Sequence, residues 1–266
     1  GGDIDMASVA VEAWPMIAGP ANDAGLPVGF DGIFDGCGFS IKNWATSQPL
    51  FHTVAATGKV MNVNIDASCA LNMPQEGLAG LTGGAAIAFL VAHNLGEVSG
   101  CTNNADVLCN APENPSVTRA ALVGYSAIGA NLRDCSNYGN VTIEIGTHGA
   151  GTGYIGTVSG RFASSAETLG CGVYNCKNYG DLTINIATSN TSNFYIGAVT
   201  GSSNSYTVTE GCENYGNLTF NSTNSGAAVC LGGITSYSAG EIKNCINEGN
   251  VTFKSAAQIK GTIVAG

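Results

Sequence analysis

Strict alternation of apolar and polar side chains returns four times along the chain, in Asn140-Val-Thr-Ile-Glu-Ile145, Asp181-Leu-Thr-Ile-Asn-Ile186, Asn217-Leu-Thr-Phe220 and Asn250-Val-Thr-Phe253. In the first of these, Val141, Ile143 and Ile145 share one side, with Thr142 and Glu144 on the other. A period of two is the signature of a strand with one buried face. A second apolar element lies upstream of each: Ala121-Leu-Val-Gly124, Tyr154-Ile-Gly-Thr-Val-Ser-Gly160, Tyr195-Ile-Gly-Ala-Val-Thr-Gly201 and Leu231-Gly-Gly-Ile-Thr235. The run from Gly83 to Ala92 matches it, and no convincing amphipathic helix is found.

Between the two elements stands a repeated segment: Cys101-Thr-Asn-Asn-Ala, Cys135-Ser-Asn-Tyr-Gly, Cys176-Lys-Asn-Tyr-Gly, Cys212-Glu-Asn-Tyr-Gly and Cys245-Ile-Asn-Glu-Gly, its cysteines 34, 41, 36 and 33 residues apart. Such periodicity marks a stacked-repeat architecture, in which a unit buries its apolar face only against its neighbours. Three residues before each Cys sits Val98, Leu132, Val173, Thr209 or Ile242, and the gap of three predicts a bend. Gly139, Gly180, Gly216 and Gly249, with Ala105 the exception, read as corners that need a positive φ. Asn103, Asn137, Asn178, Asn214 and Asn247 recur in every copy, as stacked side chains that hydrogen-bond along a column would.

Three strands per repeat joined by corners predict an all-β chain, a parallel β-helix in the form of a three-sided β-solenoid of about seven coils. At about 4.8 Å per coil that is a rod roughly 35 Å tall. The expected organisation is a single domain over residues 1–266. The chain starts at Gly1 without an initiator Met, and Lys260–Gly266 opens like another strand of the upstream element. Both features fit a piece of a longer polypeptide, or an end covered by a partner.

Composition narrows the function. The chain holds 9 basic and 19 acidic side chains, a net charge of −10, so the basic stripe that nucleic acid or an anionic membrane surface requires is missing. No apolar run approaches the roughly 20 residues of a membrane helix. With 44% apolar and only 11% charged residues the chain is not of disordered type. Neutral glycans or proteins, on a host or cell surface, are the expected partners. Ten cysteines suggest a disulfide framework, but five of them share one repeat position, where a buried free thiol acts as a small hydrophobe. With no Cys-x-x-Cys pair or His-rich tract, no metal or cofactor is expected.

The N-terminal coils carry a further pattern: Asp3-Ile-Asp-Met6, Trp14-Pro-Met-Ile17, Phe30-Asp-Gly-Ile-Phe-Asp-Gly-Cys-Gly-Phe-Ser-Ile-Lys-Asn-Trp44, Leu50-Phe and Gly58-Lys-Val-Met-Asn-Val-Asn-Ile65. This resembles the secreted repeat proteins that carry the GLUG motif, with Pro15 directly after Trp14 and Cys37 at a usually polar position as departures. The resemblance implies a right-handed parallel β-helix and an adhesin-like bacterial protein, extracellular or on the outer cell surface, often with a lipid anchor outside the segment given by these residues. It also implies an accessory role, since the motif occurs beside the peptidase domain of immunoglobulin A peptidases. It supplies no catalytic residues.

The rival reading is a polysaccharide-degrading lyase or glycosidase, which needs paired carboxylates or calcium-binding acids beside a base. Asp31 with Asp35, and Asp3 with Asp5, are the candidate pairs, though both sit where Asp builds corners. Of the basic residues only Lys177 falls near a repeated column; His52, His93 and His148 read as loop or corner residues. Asn140, Asn217, Asn250, Asn221 and Asn190 head Asn-x-Ser/Thr triplets that follow from strand composition. The candidate binding residues are Tyr138, Tyr179 and Tyr215, at one position in three successive coils. They predict an aromatic column that either stacks against sugar rings or only stabilises neighbouring coils. No catalytic residue is assigned, and the expected function is a non-enzymatic scaffold or glycan-binding or protein-binding module.

Overall fold

The computed structural model describes residues 1–9, 14–18, 28–73, 77–78, 84–111, 117–127, 129–146, 151–163, 171–186, 192–223 and 227–256. Its described secondary structure is all strand, wound into a parallel β-solenoid of about six turns. The C-terminal segment Lys260–Gly266, His148 and Asn190 lie outside the described residues.

One full turn runs through Phe51–Val54, Lys59–Met61, Asn64–Ile65, Ala70–Met73 and Ala86–Ile87 before Val91–Asn94 opens the next. Each of these five strands belongs to its own ladder, and the ladders are between five and eight strands deep. The repeat pattern counts three strands per turn, and the structure divides two of them. The segment around the Cys splits at a sharp bend, and the upstream element splits at a corner, as between Thr152–Ile155 and Ser159–Phe162.

The bend falls on the residue before each Cys. Gly100, Asp134, Asn175, Gly211 and Asn244 there have φ between 52° and 65°. That left-handed region suits Gly, Asn and Asp because larger side chains crowd the backbone. A left-handed residue between them lets Val98 and Cys101, three apart, both point inward, and both are fully buried.

The corner glycines have a different cause from the one the sequence predicts. Gly139, Gly180, Gly216 and Gly249 are absent from the positive-φ positions. A Cβ on Gly180 would instead stand 2.0 Å from the Gly139 carbonyl oxygen, and one on Gly216 2.0 Å from that of Gly180. Successive coils touch backbone to backbone at this corner, so the column excludes side chains by packing rather than by dihedral angle.

Inside the same corner runs the asparagine column. Each Nδ2 donates to the backbone oxygen two residues on, as Asn178 to Gly180 at 2.7 Å. It also donates to the next coil's Asn Oδ1, at 2.9, 2.9, 2.8 and 2.7 Å from Asn103 through to Asn247. Asn103, Asn137, Asn178 and Asn214 are buried, so the amides replace the water these carbonyls would otherwise need.

The alternating strands behave as their pattern demands: Val141, Ile143 and Ile145 are buried while Thr142 and Glu144 are half-buried. Their register holds like on like, Ile143 to Ile184 to Phe220 to Phe253, and the last two rings stack at 5.3 Å. The five repeat cysteines line the interior as thiols. Cys101, Cys135 and Cys176 each donate to the carbonyl two residues back, at 3.3, 3.2 and 3.4 Å. Burial pushes the Cys135 thiol well above its ordinary pKa.

Candidate functional site

The residue after each inward Asn must face solvent, because strand side chains alternate. Backbone bonds fix its height: Tyr138 donates to Asn103, Tyr179 to Asn137 and Tyr215 to Asn178, at 2.7 to 2.8 Å. The three rings therefore stand one above another, with centroids 4.6 and 5.0 Å apart and planes within 3° and 8° of parallel. They remain 49%, 39% and 38% exposed. Their faces are turned to each other, so what solvent meets is the ring edges, the hydroxyls and the two outermost faces. Stacking of this kind contributes about 0.5–1.5 kcal/mol per pair.

Beside the tyrosines runs the column Ser136, Lys177 and Glu213. Lys177 Nζ lies 2.9 Å from Glu213 Oε2, and Tyr215 donates its phenol proton to the same oxygen at 2.6 Å. These two bonds lower the Glu213 pKa, and the carboxylate in turn raises those of Tyr215 and Lys177. A polar clamp thus flanks one end of an amphipathic aromatic strip.

Three of the four acids named as catalytic candidates build corners. Asp3 accepts from the Ser40 amide at 2.9 Å and pairs with Lys42 at 2.6 Å. Asp5 accepts from Ala7 N and Asn43 Nδ2, both at 2.9 Å. Asp35 accepts from Cys37 N and Asn62 Nδ2 at 2.8 and 3.0 Å, a corner in which Asp31 takes no part. Side-chain hydrogen bonds, from Lys42, Asn43 and Asn62 respectively, depress all three pKa values. A general acid needs the opposite shift. Outside the Gly column, Asp106, Asn140, Asp181 and Asn217 each accept the backbone amide of the coil beyond, at 2.8 to 3.2 Å. Among the described residues no group of three His, Cys, Asp or Glu is placed to hold a metal ion.

Two expectations need correction. His52 and His93 are not loop residues: both lie in strands, both are buried, and their rings sit 5.5 Å apart in adjacent coils. Lys177 is not alone in a repeated column, since Arg133 and Lys243 both stand two residues before a repeat Cys. Arg133 covers the Tyr174 ring at 3.9 Å. A second aromatic file, Tyr154 stacked on Tyr195 at 5.3 Å, was readable from the aligned starts of two upstream elements.

With the geometry in place, comparison with solved structures finds a similar fold. The crystal structure of a putative immunoglobulin A1 protease from Bacteroides ovatus matches with a TM-score of 0.54 and 17% sequence identity, over 97% of this chain and 76% of that chain. At that identity the likeness concerns fold alone. No protein-family model and no curated protein matches the sequence. No helix among the described residues is long and apolar enough to cross a membrane.

Proposed function

We propose that this chain is a non-enzymatic recognition module of a GLUG-type protein, a single β-solenoid domain displayed outside the cell, that lays a glycan or protein partner along the tyrosine column. The observation that carries the reading is the stacked, part-exposed column Tyr138–Tyr179–Tyr215 with the Lys177–Glu213 clamp beside it. The ring edges supply apolar contact, while the hydroxyls and clamp supply directional hydrogen bonds. Of the acids that a polysaccharide-cleaving enzyme would use, Asp3, Asp5 and Asp35 are committed to backbone amides and held ionised, which favours a binding role over catalysis.

A glycan array probed with the wild-type chain and with a Tyr138→Ala, Tyr179→Ala, Tyr215→Ala variant tests the reading. Loss of bound glycans with an unchanged far-UV spectrum supports it. Unchanged binding removes the column from recognition, and turnover of any polysaccharide overturns the non-enzymatic role. A second reading, an accessory domain of a larger surface peptidase, draws on the shared fold with the Bacteroides ovatus protein. Linkage of this chain to a peptidase domain in one polypeptide would support it.

A further inference from the structure

The strands Val91–Asn94, Val123–Ser126, Ser159–Phe162 and Thr200–Ser203 stack in one ladder. Their register places His93, Tyr125, Arg161 and Ser202 on one side in four successive coils. Arg161 is the cation of this file. Its guanidinium carbon lies 4.3 Å from the Tyr154 ring centroid and 5.7 Å from that of Tyr125, so tyrosines flank it on two sides.

Among the described residues, what Arg161 lacks is an acceptor. Lys42, Lys59, Lys177 and Lys243 each have a carboxylate within 4 Å. Arg161 has no carboxylate or hydrogen-bond acceptor among the described residues, and its Nε is buried without a partner. The same holds for its column neighbours: Ser202, 1% exposed, has an unpartnered buried Oγ, and His93, 1% exposed, an unpartnered Nδ1. Buried polar atoms are rarely left so, because each forfeits the hydrogen bonds it made to water. Three in one column, one of them on a cation that lies against two tyrosine rings, mark a polar site rather than a core.

We propose that Arg161, with Tyr125, Tyr154 and Ser202, forms a binding site for a sugar that bears a single carboxylate. The guanidinium fork matches a carboxylate in two parallel bonds. Ser202 and the Tyr154 hydroxyl can bond sugar hydroxyls, and Tyr154 and Tyr195 stack in the neighbouring ladder as apolar rings along the coil axis. The net charge of −10 and the lone guanidinium limit the ligand to one charge, since a polyuronate would meet repulsion without further cations. The site uses none of the residues of the outer tyrosine column, so the two proposals stand or fall separately.

Calorimetric titration of the intact chain tests it, with four probes: methyl glucuronide against methyl glucoside, and methyl N-acetylneuraminate glycoside against its carboxyl-reduced alcohol. At least one acid should bind about tenfold or more tightly than its neutral partner, as a charge-assisted pair predicts. Arg161→Gln should abolish that preference, Arg161→Lys should keep part of it, and the triple tyrosine-to-alanine variant of the outer column should leave it intact. Equal binding of acid and neutral sugars, or an acid preference that survives Arg161→Gln, overturns the proposal. So does tighter binding of acetate or a glutamyl tripeptide than of either acidic sugar. If Arg161→Gln does not fold, the acid-to-neutral ratio on the wild-type chain and its decline with added salt decide the matter.

Discussion

Asn178→Ala is the most direct test of what holds successive coils in register. The side chain is fully buried and makes three hydrogen bonds. It donates to Gly180 O at 2.7 Å and to Asn214 Oδ1 at 2.8 Å, and accepts from Asn137 Nδ2 at 2.9 Å. Alanine removes all three and strands the Gly180 carbonyl and Asn214 Oδ1 where water cannot follow. At about 1 kcal/mol for each net bond, with more for acceptors left buried and bare, the expected loss is about 3–4 kcal/mol. Asn247, at the last described coil, is only half-buried and has one asparagine neighbour, Asn214, whose Nδ2 donates to its Oδ1 at 2.7 Å. Water can replace its bonds, so Asn247→Ala should cost about 1 kcal/mol. Urea unfolding followed by far-UV circular dichroism compares the two, and exchange of the Tyr179 amide reports local opening. The double variant Asn178→Ala, Asn214→Ala should cost less than the sum of the singles, because one stranded acceptor disappears with its residue. Equal losses for Asn178→Ala and Asn247→Ala, or strict additivity, would refute a cooperative amide ladder.

Other consequences follow from burial. Desolvation lowers the His93 pKa from 6.5 to about 4, so between those pH values the unfolded chain holds a proton that the folded chain refuses. Stability should therefore fall by about 3 kcal/mol as pH drops through that interval. The aspartates with depressed pKa values keep their contribution until about 3.8 and Glu213 until about 4.5, so thermal melts between pH 6.5 and 5.5 lie above both carboxylate windows, and His93→Phe should flatten the curve there. A melting temperature independent of pH over that range would refute it. Iodoacetamide should label exposed Cys37 first and the half-buried Cys230 and Cys245 more slowly. Mass spectrometry should find the seven buried thiols unmodified in the native chain. Gly180→Ala places a methyl against the Gly139 carbonyl and should destabilise by about 3 kcal/mol, the upper end for overpacking, as read by urea midpoint.

Much of the architecture was legible because a solenoid repeats its local instructions. The two-residue alternation at Val141–Ile145, the inward Asn and the outward Tyr are each set by strand geometry and confirmed by copies at the same position. The corner-building role of Asp3, Asp5 and Asp35 was likewise readable, since short acids beside turns bond the nearest amides. Function was less legible, because a repeated surface residue has the same signature whether it stabilises neighbours or binds a partner.

By itself the sequence determined the parallel stack, the period of its coils and which side chains form vertical files, because these depend on alternation and recurrence along the chain. Tertiary structure alone decided why the corner glycines must be glycine, that His52 and His93 are buried together, and that Arg161 lies among tyrosines with no carboxylate partner among the described residues. Each depends on how closely one coil approaches the next and on which residues from distant repeats share a level. Those distances come from packing between segments some forty residues apart, which no local pattern encodes.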